Sequence, residues 1–432
     1  MTTIVMTENV EQFSRPYRLI EAFFACLASL VFGTQILQML LGANEQVQGG
    51  RPILVHVIFL FIYTIILTVL FSDLKFIKRL LLYFPLILLL LLFPLVSLFW
   101  SVRPSDTFQR GIASIGSGCF GLLLFWRYGM LVAIRILAIA MTCAAAGSLL
   151  MALFFPHIGL MTDDTWAGAW RGLYFHKNSL GAAIALAIIM LTYVLFTDTL
   201  FFRFVALVGI AICCIILVSS RSMTAVFATG LSILLMIWAR LIQRSPNMMI
   251  ALTTLGITFS VLLLFFALNI ASLEDAFAFL GKKAGMSGRF PLWEQVIVFI
   301  GEKPIIGYGY EAFWHEDAPE TRFVASVIKY MPFYSHNGVL EVLLNGGMLL
   351  LGLITSFIII GTYRAFRFAR YYRRTFIATF PLVFMGYFVL ANISESHLLM
   401  RNDLVWSLAL GVAFRLALDE SIFRQERYYA KP

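Results

Sequence analysis

The sequence predicts an all-α, polytopic membrane protein of about twelve transmembrane helices with one long, partly helical outer loop. Three observations carry that expectation. Of 432 residues, 61% are hydrophobic and 13% charged, against about 45–50% apolar and about 25% charged in a soluble domain. The apolar residues come in blocks of about 20, the length a helix needs to cross the hydrocarbon core. Lys and Arg gather in alternate connections, as they do in cytoplasmic loops.

Residues 1–18 are polar and mixed in charge. The apolar block behind them is too long for a signal-peptide core and reads as a retained first helix. Spans are expected at 19–41, 53–71, 80–99, 111–125, 136–155, 179–197, 204–218, 223–239, 248–269, 337–361, 376–391 and 403–417. An even number puts both termini on one side. With the N-terminus inside, the inner segments hold Arg15, Arg18, Lys75, Lys78, Arg79, Arg127, Arg135, Arg203, Arg240, Arg244 and the cluster from Arg364 to Arg374. The outer short loops hold only Arg51, Arg103, Arg110, Arg171, Lys177, Arg221 and Arg401. Both termini are therefore expected in the cytoplasm, with 418–432 as a cytoplasmic tail. The net charge of +9 belongs to these loops and gives no reason to invoke nucleic acid. The five cysteines all fall inside apolar blocks, so no structural disulfide is expected.

Residues 270–336, between the spans of 19–269 and those of 337–417, form a long outer loop rich in aromatics, among them Trp293, Tyr308, Tyr310 and Trp314. The stretch 289–301 reads as an amphipathic helix with Phe290, Trp293, Ile297 and Ile300 on one face. The loop is expected to fold into a small cap.

Polar groups in or beside a bilayer are costly and point to function. Four constellations stand out, all on the outer side. Trp170 to Gly181 brings Arg171, His176, Lys177 and Asn178 to a helix N-terminus, where free N–H groups favour anions; an interfacial anchor with an Asn cap is the plainer reading. Ser219-Ser220-Arg221-Ser222 sets one arginine among hydroxyls, as a phosphate fork or as a snorkelling side chain. Gly288-Arg289, followed by Trp293, is the third, with a solvated charge as its alternative. The fourth is Ser335-His336-Asn337-Gly338, with Asn337, Glu341 and Asn345 recurring at i, i+4 and i+8 along one helix face. Two arginines and one base suit transfer from a lipid pyrophosphate: the leaving group needs positive charge, and the attacking hydroxyl needs a group titrating as His does.

At these residues the sequence resembles the O-antigen ligase and polysaccharide polymerase family of bacterial membrane proteins. The likeness runs from Trp100-Ser101-Val102-Arg103-Pro104 to Asn392-Ile393-Ser394-Glu395-Ser396. It is closest in Trp170–Gly181, Gly288–Trp293, Pro304-Ile305-Ile306-Gly307-Tyr308-Gly309-Tyr310 through Trp314, and His336-Asn337-Gly338. The forms His-Lys-Asn-Ser-Leu-Gly and Gly-Tyr-Gly-Tyr-Glu-Ala-Phe-Trp look most like the ExoQ-like polymerases of exopolysaccharide repeats. The resemblance implies essential roles for Arg289, Arg221 and His336. It implies a metal-independent, inverting glycosyltransferase of the inner membrane, without cofactor, similar to the membrane-embedded GT-C-like enzymes. The donor would be an undecaprenyl-pyrophosphate-linked oligosaccharide within membrane lipid, and chain-length regulator and export proteins are the partners it suggests. Arg171, His176, Lys177, Asn178, Asn337, Glu341, Trp293, Tyr308, Tyr310 and Glu395 are the expected substrate contacts. Two acidic groups, His315-Glu316-Asp317 and Asp163-Asp164, could hold a divalent ion, but neither belongs to the matched motifs.

Three activities fit this pattern. The first is a polymerase moving a glycan onto a lipid-linked repeat. The second is a ligase moving it onto lipid A core or protein. The third is a transporter or flippase, which would place its polar groups near the midplane and not at one face. If the topology is right, a cysteine placed beside Glu316 reacts with an impermeant maleimide from the periplasmic side; labelling from the cytoplasmic side alone would overturn it.

Overall fold

The computed structural model describes residues 16–41, 53–162, 166–245 and 289–429. The expected ninth span, Gly288, Asp163-Asp164 and the first part of the long loop lie outside them. The described residues are helical apart from turns, one isolated bridge pairing Leu160 with Trp170, and short loops. The helices are α1 (Pro16–Gly33), α2 (Ile36–Leu40), α3 (Ile53–Phe71), α4 (Leu74–Tyr83), α5 (Pro85–Val96), α6 (Pro104–Phe154), α7 (Lys177–Thr197), α8 (Leu200–Ser219), α9 (Met223–Arg244), α10 (Arg289–Glu302), α11 (Pro319–Ile328), α12 (Gly338–Tyr371), α13 (Phe380–Ser394) and α14 (Leu404–Tyr429). Among the described residues, seven helices are long and apolar enough to cross a membrane. The chain is thus a multi-pass helical membrane protein.

Helix α6 runs 51 residues but is not straight. Gly129 sits at φ 67, ψ −173, a backbone state open to glycine. Phe120 stacks near Phe32, with ring centroids 5.2 Å apart, and Met141 reaches Gly33. A straight helix would separate residues 120 and 141 by about 31 Å. The chain therefore folds back at Gly129 and contributes two antiparallel arms, covering the spans expected at 111–125 and 136–155. The reversal is tucked inside: Tyr128, Gly129 and Met130 are buried.

Three expected spans are broken. The span at 19–41 ends as a helix at Gly33 and restarts as the short α2 at Ile36. The span at 80–99 stops at Phe84, whose φ of −134 leaves the helical region before Pro85 restarts it as α5. A residue before proline is pushed out of the helical basin. The span at 337–361 breaks at Gly347, with φ 58. The amides released there are taken by the cap: Met348 N donates to Pro304 O and Leu349 N to Ile305 O. A Cβ on Gly347 would fall 2.4 Å from Ile305.

The cap has its own core of Leu292, Val296, Phe299, Tyr308, Phe313, Trp314, Val324 and Leu344. The buried face of α10 is therefore Leu292, Val296 and Phe299, while Phe290 and Ile297 are exposed. Of the expected face, Trp293 and Ile300 pack against this core and Phe290 and Ile297 do not, because apolar side chains encircle this helix almost completely. The Trp100–Pro104 and Pro304–Tyr310 motifs hold the cap down on the bundle. Trp100 Nε1 donates to Ile306 O at 2.8 Å, Val102 N to Tyr308 O and Tyr310 N to Ser97 Oγ at 3.0 Å.

Helix α14 packs directly on the first arm of α6. An added Cβ on Gly121 would lie 1.6 Å from Ser407 O, and one on Gly411 2.3 Å from Gly121 O. Small residues let membrane helices meet backbone to backbone. Gly121→Leu should abolish a monodisperse detergent-purified species. Gly230→Ala, with open space around it, should be neutral or stabilising by up to about 1 kcal/mol. Thermal unfolding followed by size-exclusion chromatography measures both.

Candidate functional site

The four constellations gather at one end of the bundle in two clusters. In the first, Glu395 joins segments remote in sequence. Its carboxylate accepts from Arg289 Nη2 at 3.1 Å and lies 3.3 Å from His336 Nδ1. Arg289 opens α10, His336 precedes α12 and Glu395 follows α13. Burial pushes the Glu395 acid upward, but His336, Arg289 and His397 outweigh it and hold it at about 2. It is a carboxylate throughout the physiological range. An anion at Nδ1 favours the proton there and leaves the Nε2 lone pair for another partner.

The second cluster surrounds Arg221. Lys177 is buried and donates from Nζ to Arg221 O at 3.1 Å while sitting 3.8 Å from the Trp166 ring centroid. Asn178 Oδ1 accepts from Ser222 Oγ at 3.1 Å. These contacts hold Arg221 in a left-handed conformation, with φ 51, and leave its side chain exposed. His336 shares that conformation, with φ 52. Such residues cost about 1–3 kcal/mol each and collect at functional sites. Helix α7 is the wall between the clusters. Gly181 lies against Ser222 and Ala225, while Ser179 and Ala182 line a cavity shared with Glu395.

Other expected contacts have structural partners. Asn337 caps α12, accepting from Val339 N and Leu340 N. His176 caps α7 through Nδ1, and Arg171 Nε donates to Ile158 O at 2.7 Å. Glu341 is buried and accepts from Ser335 and Trp314, so the acid beside His336 is Glu395 and not Glu341. Tyr308 and Tyr310 are buried with hydroxyls bonded to Phe299 O and Leu399 O, which makes them struts of the cap. Trp293 Nε1 donates to Ser335 O at 2.8 Å and fixes the segment leading into His336.

Sequence reasoning underrated the connection between α13 and α14. Asn392 Oδ1 accepts from His397 N and Leu398 N, each at 2.9 Å. His397 Nδ1 lies 2.9 Å from Asp403 Oδ2, and Asp403 Oδ1 also caps α14 at Trp406 N. Burial lowers the affinity of His397 for its proton, but Asp403 and Glu395 raise it beyond that loss. The signal was the dense polar run from Ser394 to Asp403 inside an apolar chain.

Residues 206–355 match the family model described as O-antigen ligase. This segment is O-antigen ligase-like. It contains Arg221, Arg289 and His336, whereas Glu395 lies beyond it. Over 283 residues the chain is 26% identical to the exopolysaccharide production protein ExoQ of Rhizobium meliloti strain 1021, a match covering 62% of each. The chain therefore spans less than two thirds of that relative. Both matches support the resemblance to the ligase and polymerase family, on its ExoQ-like side.

The depressed acidity of Glu395 makes its bridge a pH-dependent contribution to stability. A lowered folded value means the contribution is full above the ordinary 4.5 and is lost as pH falls toward about 2. Glu395→Gln should melt below the parent from pH 7 to 5, and the gap should close on acidification below that. Melting curves across pH test this; a gap independent of pH would overturn it.

Proposed function

We propose that this chain is a polysaccharide polymerase of about twelve spans in the bacterial inner membrane, with a GT-C-like arrangement. It transfers a polyprenyl-pyrophosphate-linked glycan onto a lipid-linked repeat unit at the periplasmic face. The observation that carries the reading is the Arg289–Glu395–His336 bridge, at the end of the bundle capped by the aromatic loop, with an exposed Arg221 across α7 from it. In the reaction the acceptor hydroxyl gives its proton to His336 Nε2. Its oxygen attacks the anomeric carbon from the face opposite the pyrophosphate, so the configuration inverts. The anomeric C–O bond breaks and both electrons leave with the pyrophosphate.

Arg289 and Arg221 stabilise the leaving anion. A guanidinium has five donors, and the bond to Glu395 uses one of Arg289's. Charge-assisted bonds are worth about 1.5–3 kcal/mol each, and fixed donors aimed at developing charge are the main source of catalysis in such sites. Glu395 sets the tautomer of His336 and the direction of Arg289 together. Chain-length and export proteins would act as partners of this reaction. A ligase would share the donor half of this site and differ in its acceptor.

Purified protein given lipid-linked repeat units should elongate them with no gradient present, which a transporter would not do. His336→Ala should lose about 10²–10⁴-fold in turnover while still inserting. Arg221→Lys and Arg289→Lys should also fall strongly, because lysine keeps charge but not the fork. Near-parental elongation by His336→Ala would place the base elsewhere.

A further inference from the structure

Beneath the bridge lies a cavity of about 200 Å³, room for on the order of seven waters. Its walls come from the end of α1 with α2, from α7, and from the 395–405 connection. Three polar atoms of its lining have no hydrogen-bond partner among the described residues: Gln38 Oε1, Ser396 Oγ and His397 Nε2. Gln38 and Ser396 are 8% and 6% exposed. Leaving a buried donor or acceptor unsatisfied costs about 1–3 kcal/mol, so three in one cavity call for a ligand or water that pairs with them.

The chemistry of the lining selects the ligand. Its ionic groups are already paired: Glu395 with Arg289 and His336, His397 with Asp403, Arg401 with Glu311. What remains is an amide oxygen, a hydroxyl and an imidazole nitrogen, beside the rings of Phe32, Tyr174 and Tyr334. Neutral hydrogen-bonding groups next to aromatic rings fit a polyhydroxylated ring with apolar C–H faces, and do not fit a phosphate. We propose that this cavity is the acceptor-sugar subsite, in which Gln38, Ser396 and His397 bind hydroxyls of one neutral sugar residue. Its role as the acceptor half rests on the polymerase reading, because Glu395 links the cavity wall to His336. Asp403 acts through His397 and is a positioning residue, favouring the proton on Nδ1 and leaving Nε2 for the sugar.

The test is binding, kept separate from catalysis. The probe is the oligosaccharide repeat released by mild acid from lipid-linked intermediates of cells lacking this protein. Its titration into the purified full chain is followed by tryptophan fluorescence. The parent should bind saturably. Gln38→Ala and Ser396→Ala should each weaken binding by about three- to ten-fold, the loss of one neutral hydrogen bond. Ser396→Thr, which keeps the hydroxyl, should bind within about two-fold of the parent, and Ala183→Phe, which fills the cavity, should abolish binding. Melting curves establish that each variant is folded. No binding by the parent, or parental binding by the folded Gln38→Ala, Ser396→Ala and Ala183→Phe proteins, overturns the subsite. A parent that binds the glycan but forms no glycosidic bond overturns the polymerase reading and leaves the subsite standing.

Discussion

The site end of the bundle depends on one buried carboxylate. Glu395 is 7% exposed and reaches a cation from the cap and an imidazole from the mouth of α12. In an apolar surround an ionised acid survives only when it is paired and hydrogen-bonded. Three segments separated by up to 106 residues must therefore arrive together or leave the charge uncompensated. The rest of the architecture serves that meeting. The glycine contact between α6 and α14 anchors one side, Asn392 shapes the turn after α13, and the Pro304–Tyr310 wrap around Gly347 holds the cap over the other.

A second imidazole–carboxylate pair, His397 with Asp403, stands two residues from Glu395 and differs in setting. His336 lies at the rim, with 26% of its side chain exposed, and His397 lies deeper, at 15%. The rim pair can exchange protons with solvent, as a base must between turnovers. The deeper pair is screened by the cavity wall and suits recognition. Two copies of one chemical device thus differ in depth, in keeping with the separate roles proposed for them.

The membrane class was legible from block length and composition, since no soluble core absorbs so many apolar residues. Arg221, Arg289 and His336 stood out as candidates because charge beside a bilayer is expensive and therefore conspicuous. The partnerships were not. Glu341 is the acid of the polar face that follows His336 in sequence, yet the start of α12 turns that residue toward Trp314 and Ser335. Glu395, 59 residues away, takes its place. Sequence periodicity reports which face of a helix is polar and says nothing of what that face meets. The breaks at Phe84 and Gly347 were hidden for a related reason: hydropathy averages over a kink that one backbone angle creates. Gln38 and Ser396 were invisible, being ordinary polar residues whose meaning is a missing partner.

The reversal at Gly129 bears on how the chain reaches its place. Two arms of about 37 Å each joined at a buried glycine expose no long loop at that end for a protease to nick. The reversal buries Tyr128 and Met130 in the folded protein. The pair packs as one hairpin, and a truncation ending near residue 129 would leave the first arm without the surface it meets.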